Sequence, residues 1–323
     1  MKQSPDPLGY DLALPLRSRY YPMGFPLDLA TNCEDILAAA DWLWKDFPPA
    51  STDDRPAEIR VLVEDCDARV PPAPSMPRGR NHLVTTVHGA DNFAVCDLAA
   101  SYTFACLTRD VAGNQAYVRY HFLEPSGSLM IDARHLSPMH ASCAALDGRA
   151  VVLCGESGAG KTSLAYACAR RGWTYLSDDA THIVRNRSDR KVVGRPYRIR
   201  FRESARLLFP ELREFNPELR PNGKLDIEIE TNRLGLSVAP SGSASNIVFL
   251  NRQPGFAEPV LKRVARDDAA ARLRNQAIYG DPGIRRDQER TLMQFLELPA
   301  LELHWNDFDS AERALRNLIG NRN

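Results

Sequence analysis

The sequence predicts an α/β protein, α+β overall, and three observations carry that expectation. β-rich runs crowd the stretch before residue 125, and near residue 130 the texture changes to short apolar strands alternating with helical patterns. Between one such strand and one such helix stands a glycine-rich loop, GESGAGKT, at 155–162. We therefore expect a mainly antiparallel β domain over 1–130 and a domain built around the loop over 131–323, with the boundary at 125–133.

The elements follow in order. Thr31-Asn32-Cys33-Glu34 has the S/T-x-x-E spacing of a capping box, and Ile36, Ala40 and Leu43 recur behind it at helical spacing. A helix ending near Pro48 is expected. EIRVLVE (58–64), HLVTTVH (82–88), NFAVCDL (92–98), SYTFACL (101–107) and QAYVRYHF (115–122) alternate or are β-rich, and Gly, Asn, Asp and Pro separate them. All five are expected to be strands of one sheet. HASCAAL and RAVVLCG read as a hairpin turned at Asp147-Gly148, TSLAYACARRG as a helix closed by Gly172, and WTYLS and ATHIVR as strands. Further on, RESARLLFPELREF reads as a helix, LDIEIET and NIVFLN as strands, and RDDAAARLRNQAIY, RRDQERTLMQFLEL and DSAERALRNLIG as helices.

Composition excludes several classes. With 323 residues, 44% apolar and 25% charged, the chain is long and apolar enough to fold around a buried core. Lysine plus arginine equal aspartate plus glutamate at 41 each, so no global positive field favours nucleic acid. Seven cysteines, odd in number and never spaced C-x2-C, argue against a disulfide framework and a zinc site. The N-terminal segment carries prolines and charges where a signal peptide needs an apolar stretch, and no apolar run approaches membrane-spanning length. A cytoplasmic protein without membrane or nucleic-acid partners is expected.

The loop satisfies G-x-x-x-x-G-K-[S/T], for which this composition gives roughly 0.002 chance matches. Strand before and helix after are what phosphate binding requires, because glycines let backbone N–H groups close around phosphate oxygens at a helix N-terminus. The nucleotide-binding residues are then Gly155, Glu156, Ser157, Gly158, Ala159, Gly160, Lys161, Thr162 and Ser163. Lys161 is expected to reach the β- and γ-phosphates and Thr162 to ligate Mg²⁺. Asp178-Asp179 close the WTYLS strand, expected beside the loop strand, where one carboxylate can orient Mg²⁺ and the other accept a proton. His140, expected on the first hairpin strand, can orient Asp178 or tune its proton affinity.

From His140 to Ile183 these residues resemble the catalytic core of HPr kinase/phosphorylase and the wider group of HPr-kinase-like serine kinases. The shared pattern is a histidine strand, a hairpin, G-x-S-G-x-G-K-[S/T], a helix ending before glycine, and a D-D pair. Here it falls on His140, Ser157, Gly158, Gly160, Lys161, Thr162, Gly172, Asp178 and Asp179. The resemblance implies a P-loop kinase fold related to phosphoenolpyruvate carboxykinase, with ATP and Mg²⁺ as cofactors. It further implies Asp178 as general base, Asp179 as support for metal and geometry, His140 in contact with the acid pair, and a homo-oligomer. The family's Glu-Ile-Arg segment corresponds to RIRFRES: Arg200 matches the arginine, but Arg198 stands where the metal-associated glutamate belongs, so either Glu203 replaces that ligand or the metal shell differs. The N-terminal half does not resemble that of HPr kinase, so a stand-alone member is implied. Its acceptor is a hydroxyl on a peptide, small protein or small molecule.

Arg198, Arg200 and Arg202 alternate and are expected to share one strand face, either near the γ-phosphate or as a charged edge. Arg252, in NRQPG, is a further charge-stabilising candidate. Two other readings compete: a regulatory nucleotide switch or ATPase, and a carboxykinase-like phosphotransferase using the arginine run.

Overall fold

A computed structural model describes residues 12–50, 54–65, 77–221, 223–253, 255, 258–274 and 281–320. The chain forms two compact units, one comprising Met1–Arg134 with Arg220–Gly223 and Tyr279–Ile284, the other His135–Leu219, Lys224–Ile278 and Arg285–Asn323.

The first unit holds strands β1 (Leu16–Tyr20), β2 (Leu27–Thr31), β3 (Ala57–Glu64), β4 (Arg78–Arg80), β5 (Leu83–Val87), β6 (Phe93–Asp97) and β7 (Tyr102–Thr108). They pair as one sheet in the order β1-β2-β3-β7-β6-β5-β4, parallel at β2–β3 and β3–β7 and antiparallel elsewhere. Helix α1 (Glu34–Trp44) forms, but not through a capping box: Thr31 ends β2, and its hydroxyl accepts from Cys33 N instead of capping the helix.

The run 115–122 is helical, not a strand. After α2 (Arg109–Gly113), α3 (Gln115–Val118) passes through a π-turn at Arg119–Leu123 into α4 (Glu124–Arg134). Its β-branched and aromatic residues suggested a strand, but Val118, Phe122, Ser126 and Met130 are all buried, a stripe at i+4 spacing. Asn114 accepts from Tyr117 N and starts this helix. The π-turn shifts the ladder so that Glu124 N bonds Arg119 O, just where Pro125 has no N–H to give.

In the second unit a mixed nine-stranded sheet carries β8 (Leu136–Met139), β9 (Ala141–Leu146), β10 (Arg149–Cys154), β11 (Thr174–Ser177), β12 (Thr181–Val184), β13 (Lys191–Val193), β17 (Ser241–Arg252), β18 (Val260–Arg263) and β19 (Ala300–Trp305). Along β10, Val151 and Leu153 enter one core while Ala150, Val152 and Cys154 enter the other, so the strand reads as an unbroken apolar run. On the first face lie α5 (Lys161–Ala169) and α9 (Phe308–Gly320), which buries Ala311, Leu315 and Ile319 at i, i+4, i+8. On the other lie α7 (Arg266–Arg274) and the end of α8 (Pro282–Phe295), through Ala269, Ala270, Leu292 and Phe295. β9 and β10 form the expected hairpin, with Asp147 and Gly148 at φ 49 and 76.

A small three-stranded sheet, in the order β14-β16-β15, joins β14 (Arg198–Arg202), β15 (Glu218–Leu219) and β16 (Leu225–Glu230). The long helix expected over 202–215 is instead α6 (Ala205–Leu208) and a 3-10 turn at Pro210–Glu214, because Pro210 cannot continue an α-helical ladder. No helix among the described residues is long and apolar enough to cross a membrane.

Candidate active site

The glycine-rich loop leaves β10 at Cys154 and enters α5 at Lys161. Gly155, Gly158 and Gly160 have φ of 154, 92 and 93, a backbone open to glycine and strained for other residues. A Cβ on Gly160 would lie 3.0 Å from Trp305 Cζ2, and one on Gly155 would lie 3.0 Å from Ala159 Cβ. The loop thus rests on Trp305 at the end of β19.

Lys161 is buried at the mouth of α5. Its ammonium donates to Gly155 O at 2.8 Å and Glu156 O at 3.2 Å and meets His140 Nε2 at 3.1 Å. Burial lowers its pKa, with the Arg202 charge adding to the effect, while Asp179 opposes it. His140 occupies the bend between β8 and β9, one residue before the hairpin strand on which it was expected. Its Nδ1 lies 2.9 Å from Asp179 Oδ1. Because Nε2 faces an ammonium, its lone pair accepts there and the proton sits on Nδ1, directed at the carboxylate. The histidine therefore bridges Lys161 and Asp179; the expected partner Asp178 is held by other groups.

Asp178 and Asp179 follow β11 directly, but β11 is not beside the loop strand: β9 lies between β11 and β10, antiparallel to both. The acid pair reaches the loop because β11 and β10 run in the same direction, one strand removed. Three contacts fix Asp178. Its main-chain oxygen accepts from the hydroxyls of Ser142 and Thr162, the latter at 3.2 Å, and Arg200 N donates to its Oδ2 at 2.8 Å. Burial pushes the Asp178 carboxyl up to about 6, against the lowering effect of the Arg200 charge and N–H. Asp179 goes the other way: burial raises it, but the His140 hydrogen bond and the charges of Lys161 and Arg200 outweigh that and leave it lowered. Two adjacent carboxyls with pKa values pushed apart suit division into a base and an ionised ligand.

Arg198, Arg200 and Arg202 lie on β14 opposite Glu230, Glu228 and Asp226 of β16. Ile199, Phe201, Ile227 and Ile229 take the inner face of this pair, where Phe201 meets Tyr166 of α5 edge-on at 5.0 Å, so the alternation turns the arginines away from the core. Arg198 pairs with Glu230 at 3.5 Å and Arg200 with Glu228 at 2.8 Å. Arg202 reaches the loop instead, donating from Nη2 to Ser157 Oγ at 2.7 Å. Arg252 ends β17 with its guanidinium over the Trp305 and Phe308 rings, 5.2 and 5.1 Å from their centroids, and with Nε donating to Asn306 O. Glu203 lies in the exposed turn just beyond β14.

The oxygen groups at the loop that could hold a divalent cation are the Thr162 hydroxyl and the lowered carboxylate of Asp179. Among the described residues no group of three or more His, Cys, Asp or Glu could hold a metal ion. Hard oxygen donors, few in number, fit an ion that takes one or two protein ligands together with phosphate oxygens and water.

No family model matches this chain, and no curated protein matches it. One similar solved structure is the HPr(Ser) kinase/phosphatase from Coxiella burnetii, at a TM-score of 0.32 and 14% identity, covering 56% of this chain and 95% of that one.

Sequence reading did not single out Ser142, Glu228 or Trp305. Ser142 shares strand parity with His140, and the acids of LDIEIE alternate as the arginines of RIRFR do, a period-two charge match that anticipates the pairing of β14 with β16. Trp305 had no local signal, because its contact with Gly160 joins residues 145 positions apart.

Proposed function

We propose that this protein is an ATP- and Mg²⁺-dependent kinase that transfers the γ-phosphate to a hydroxyl, with serine of a peptide or small protein as the acceptor class. The observation that carries the reading is Asp178: a carboxyl pushed up to about 6, aimed by Arg200 N and tied through its own main chain to Thr162 of the glycine-rich loop. A base titrating close to neutrality is suited to taking a proton from an alcohol as it attacks.

Each residue then has a task. Loop N–H groups and the start of α5 bind phosphate oxygens, and Lys161 exchanges its contacts with Gly155 O, Glu156 O and His140 for the β- and γ-phosphates. Thr162 and Asp179 would hold Mg²⁺, which would supply neutralisation of charge on the phosphates. His140 keeps Asp179 ionised and oriented. Asp178 accepts the acceptor's proton, and the domain over 1–130 recognises the acceptor or assembles a homo-oligomer in the cytoplasm. The carboxykinase-like reading relied on the arginine row, and two of its three members already have carboxylate partners across the strand pair, Glu230 and Glu228, which favours the kinase reading.

The test is incubation with γ-labelled ATP, Mg²⁺ and a fractionated lysate of the host, beside Asp178→Asn. Label on one acceptor, absent with the variant, is the expected result. Label released only as free phosphate makes the protein an ATPase or nucleotide switch instead.

A further inference from the structure

We propose that Arg202 is the ligand of the terminal phosphate, the group by which this site tells a nucleoside triphosphate from a diphosphate. The inference rests on the nucleotide-binding reading of the loop and names a residue within it.

The argument begins with the pattern on β14. Three arginines face three acids in register, and two of them, Arg198 and Arg200, meet the glutamate opposite. Arg202 does not turn to Asp226; its guanidinium crosses to the glycine-rich loop and donates a single hydrogen bond to Ser157 Oγ, an uncharged acceptor. Among the described residues it makes no ion pair. A guanidinium has five N–H donors in a planar fork, so four remain open to solvent at an exposed position. The charge of Arg202 is also felt at Lys161, where it disfavours the ammonium form. Two cations therefore converge on one loop, one with an unused bidentate edge. An anion between them relieves their repulsion and fills that edge, and a phosphate oxygen pair matches the fork.

The loop lysine serves any bound phosphate chain, whereas Arg202 reaches the loop at Ser157, four residues before Lys161. It approaches from β14, the strand that also aims Asp178 through Arg200 N. This places it on the side where the attacking hydroxyl meets the terminal phosphate, and where charge accumulates during transfer.

A bracing role for Arg202 predicts something different, so binding separates the two. Arg202→Gln keeps an N–H for Ser157 and loses the charge and the fork. Kd values for ATP and ADP, each with Mg²⁺, are measured by calorimetry on the unsubstituted protein and the variant, with thermal melting to verify folding. The expected result is ATP weakened about tenfold or more and ADP changed less than twofold. Equal weakening of both nucleotides, or no change in either, overturns the assignment. If the unsubstituted protein binds ATP and ADP, the loop reading stands whatever the variant does; if it binds neither, that reading falls and the role of Arg202 falls with it.

Discussion

The main-chain N–H of Arg200 donates to Oδ2 of Asp178 at 2.8 Å, across 22 residues of sequence. A backbone donor does not titrate, so the carboxylate keeps its aim while its protonation follows pH. Burial raises that carboxyl to about 6, with the Arg200 charge holding it from rising further. Below about 6 the base carries a proton and cannot accept another, so kcat/KM is expected to fall tenfold per pH unit in that range and to level off above it. A steady-state profile from pH 5 to 8 checks this, and a flat profile through pH 6 removes Asp178 as the base.

The same shift predicts a stability effect of fixed sign. The folded-state value, about 6, lies above the ordinary 3.8, so the folded protein binds this proton more tightly than the unfolded chain. Below about 3.8 both states are protonated and no penalty arises. Between the two values the folded state alone holds the proton, and above about 6 the ionised carboxylate costs it the full difference, at most about 3 kcal/mol. Asp178→Asn keeps an oxygen for Arg200 N and has no charge to bury. Its gain in urea-denaturation stability over the unsubstituted protein is expected to grow from pH 4 to 6 and then stay constant, while ATP binding is retained. A gain that shrinks as pH rises contradicts the burial argument.

Gly160 tests the loop without touching its chemistry. At φ 93 an alanine is strained, and its Cβ would stand 3.0 Å from the indole of Trp305, a buried ring in a packed core. Gly160→Ala is expected to cost about 1–2 kcal/mol in folding stability from backbone strain alone and to weaken ATP binding. Gly158→Ala carries similar strain with no atom within 4 Å, so the difference between the two variants isolates the Trp305 contact. Equal melting temperatures for the two would show that the ring yields.

How much of this was legible in the sequence depended on whether the determinant was local. The hairpin at Asp147-Gly148, the loop, and α5 with its closing Gly172 announce themselves within a few residues, since φ > 0 and helix termini demand particular side chains. The helix over 115–134 hid behind β-favouring residues, because its stripe of buried positions, Val118, Phe122, Ser126 and Met130, extends beyond the eight-residue run that reads as a strand. Placing β9 between the loop strand and β11 was beyond local reading, since strand order is decided by packing across the whole sheet. For the site, the residue types at His140, Lys161, Asp178 and Asp179 were readable, but not which acid takes the histidine. Arg200 N engages the Asp178 carboxylate, and the Ser142 and Thr162 hydroxyls fix its main chain, while His140 Nδ1 meets Asp179.

His140 gives the last prediction. Its two nitrogens face Asp179 at 2.9 Å and Lys161 at 3.1 Å, so one side chain serves both the carboxylate assigned to Mg²⁺ and the ammonium assigned to phosphate. The two roles respond differently to substitution. Lys161 retains two carbonyl acceptors without the histidine, whereas Asp179 loses the hydrogen bond that most lowers its pKa. His140→Ala is therefore expected to weaken apparent Mg²⁺ affinity about tenfold, as removal of an orienting partner behind a metal ligand does, and to leave metal-free ATP binding within about twofold. Lys161→Ala is expected to weaken ATP about tenfold or more whether or not metal is present, through loss of a charge-assisted hydrogen bond. Titrating ATP at several Mg²⁺ concentrations, including none, separates the two patterns. A His140→Ala protein whose defect is the same with and without Mg²⁺ would assign the histidine to Lys161 rather than to Asp179.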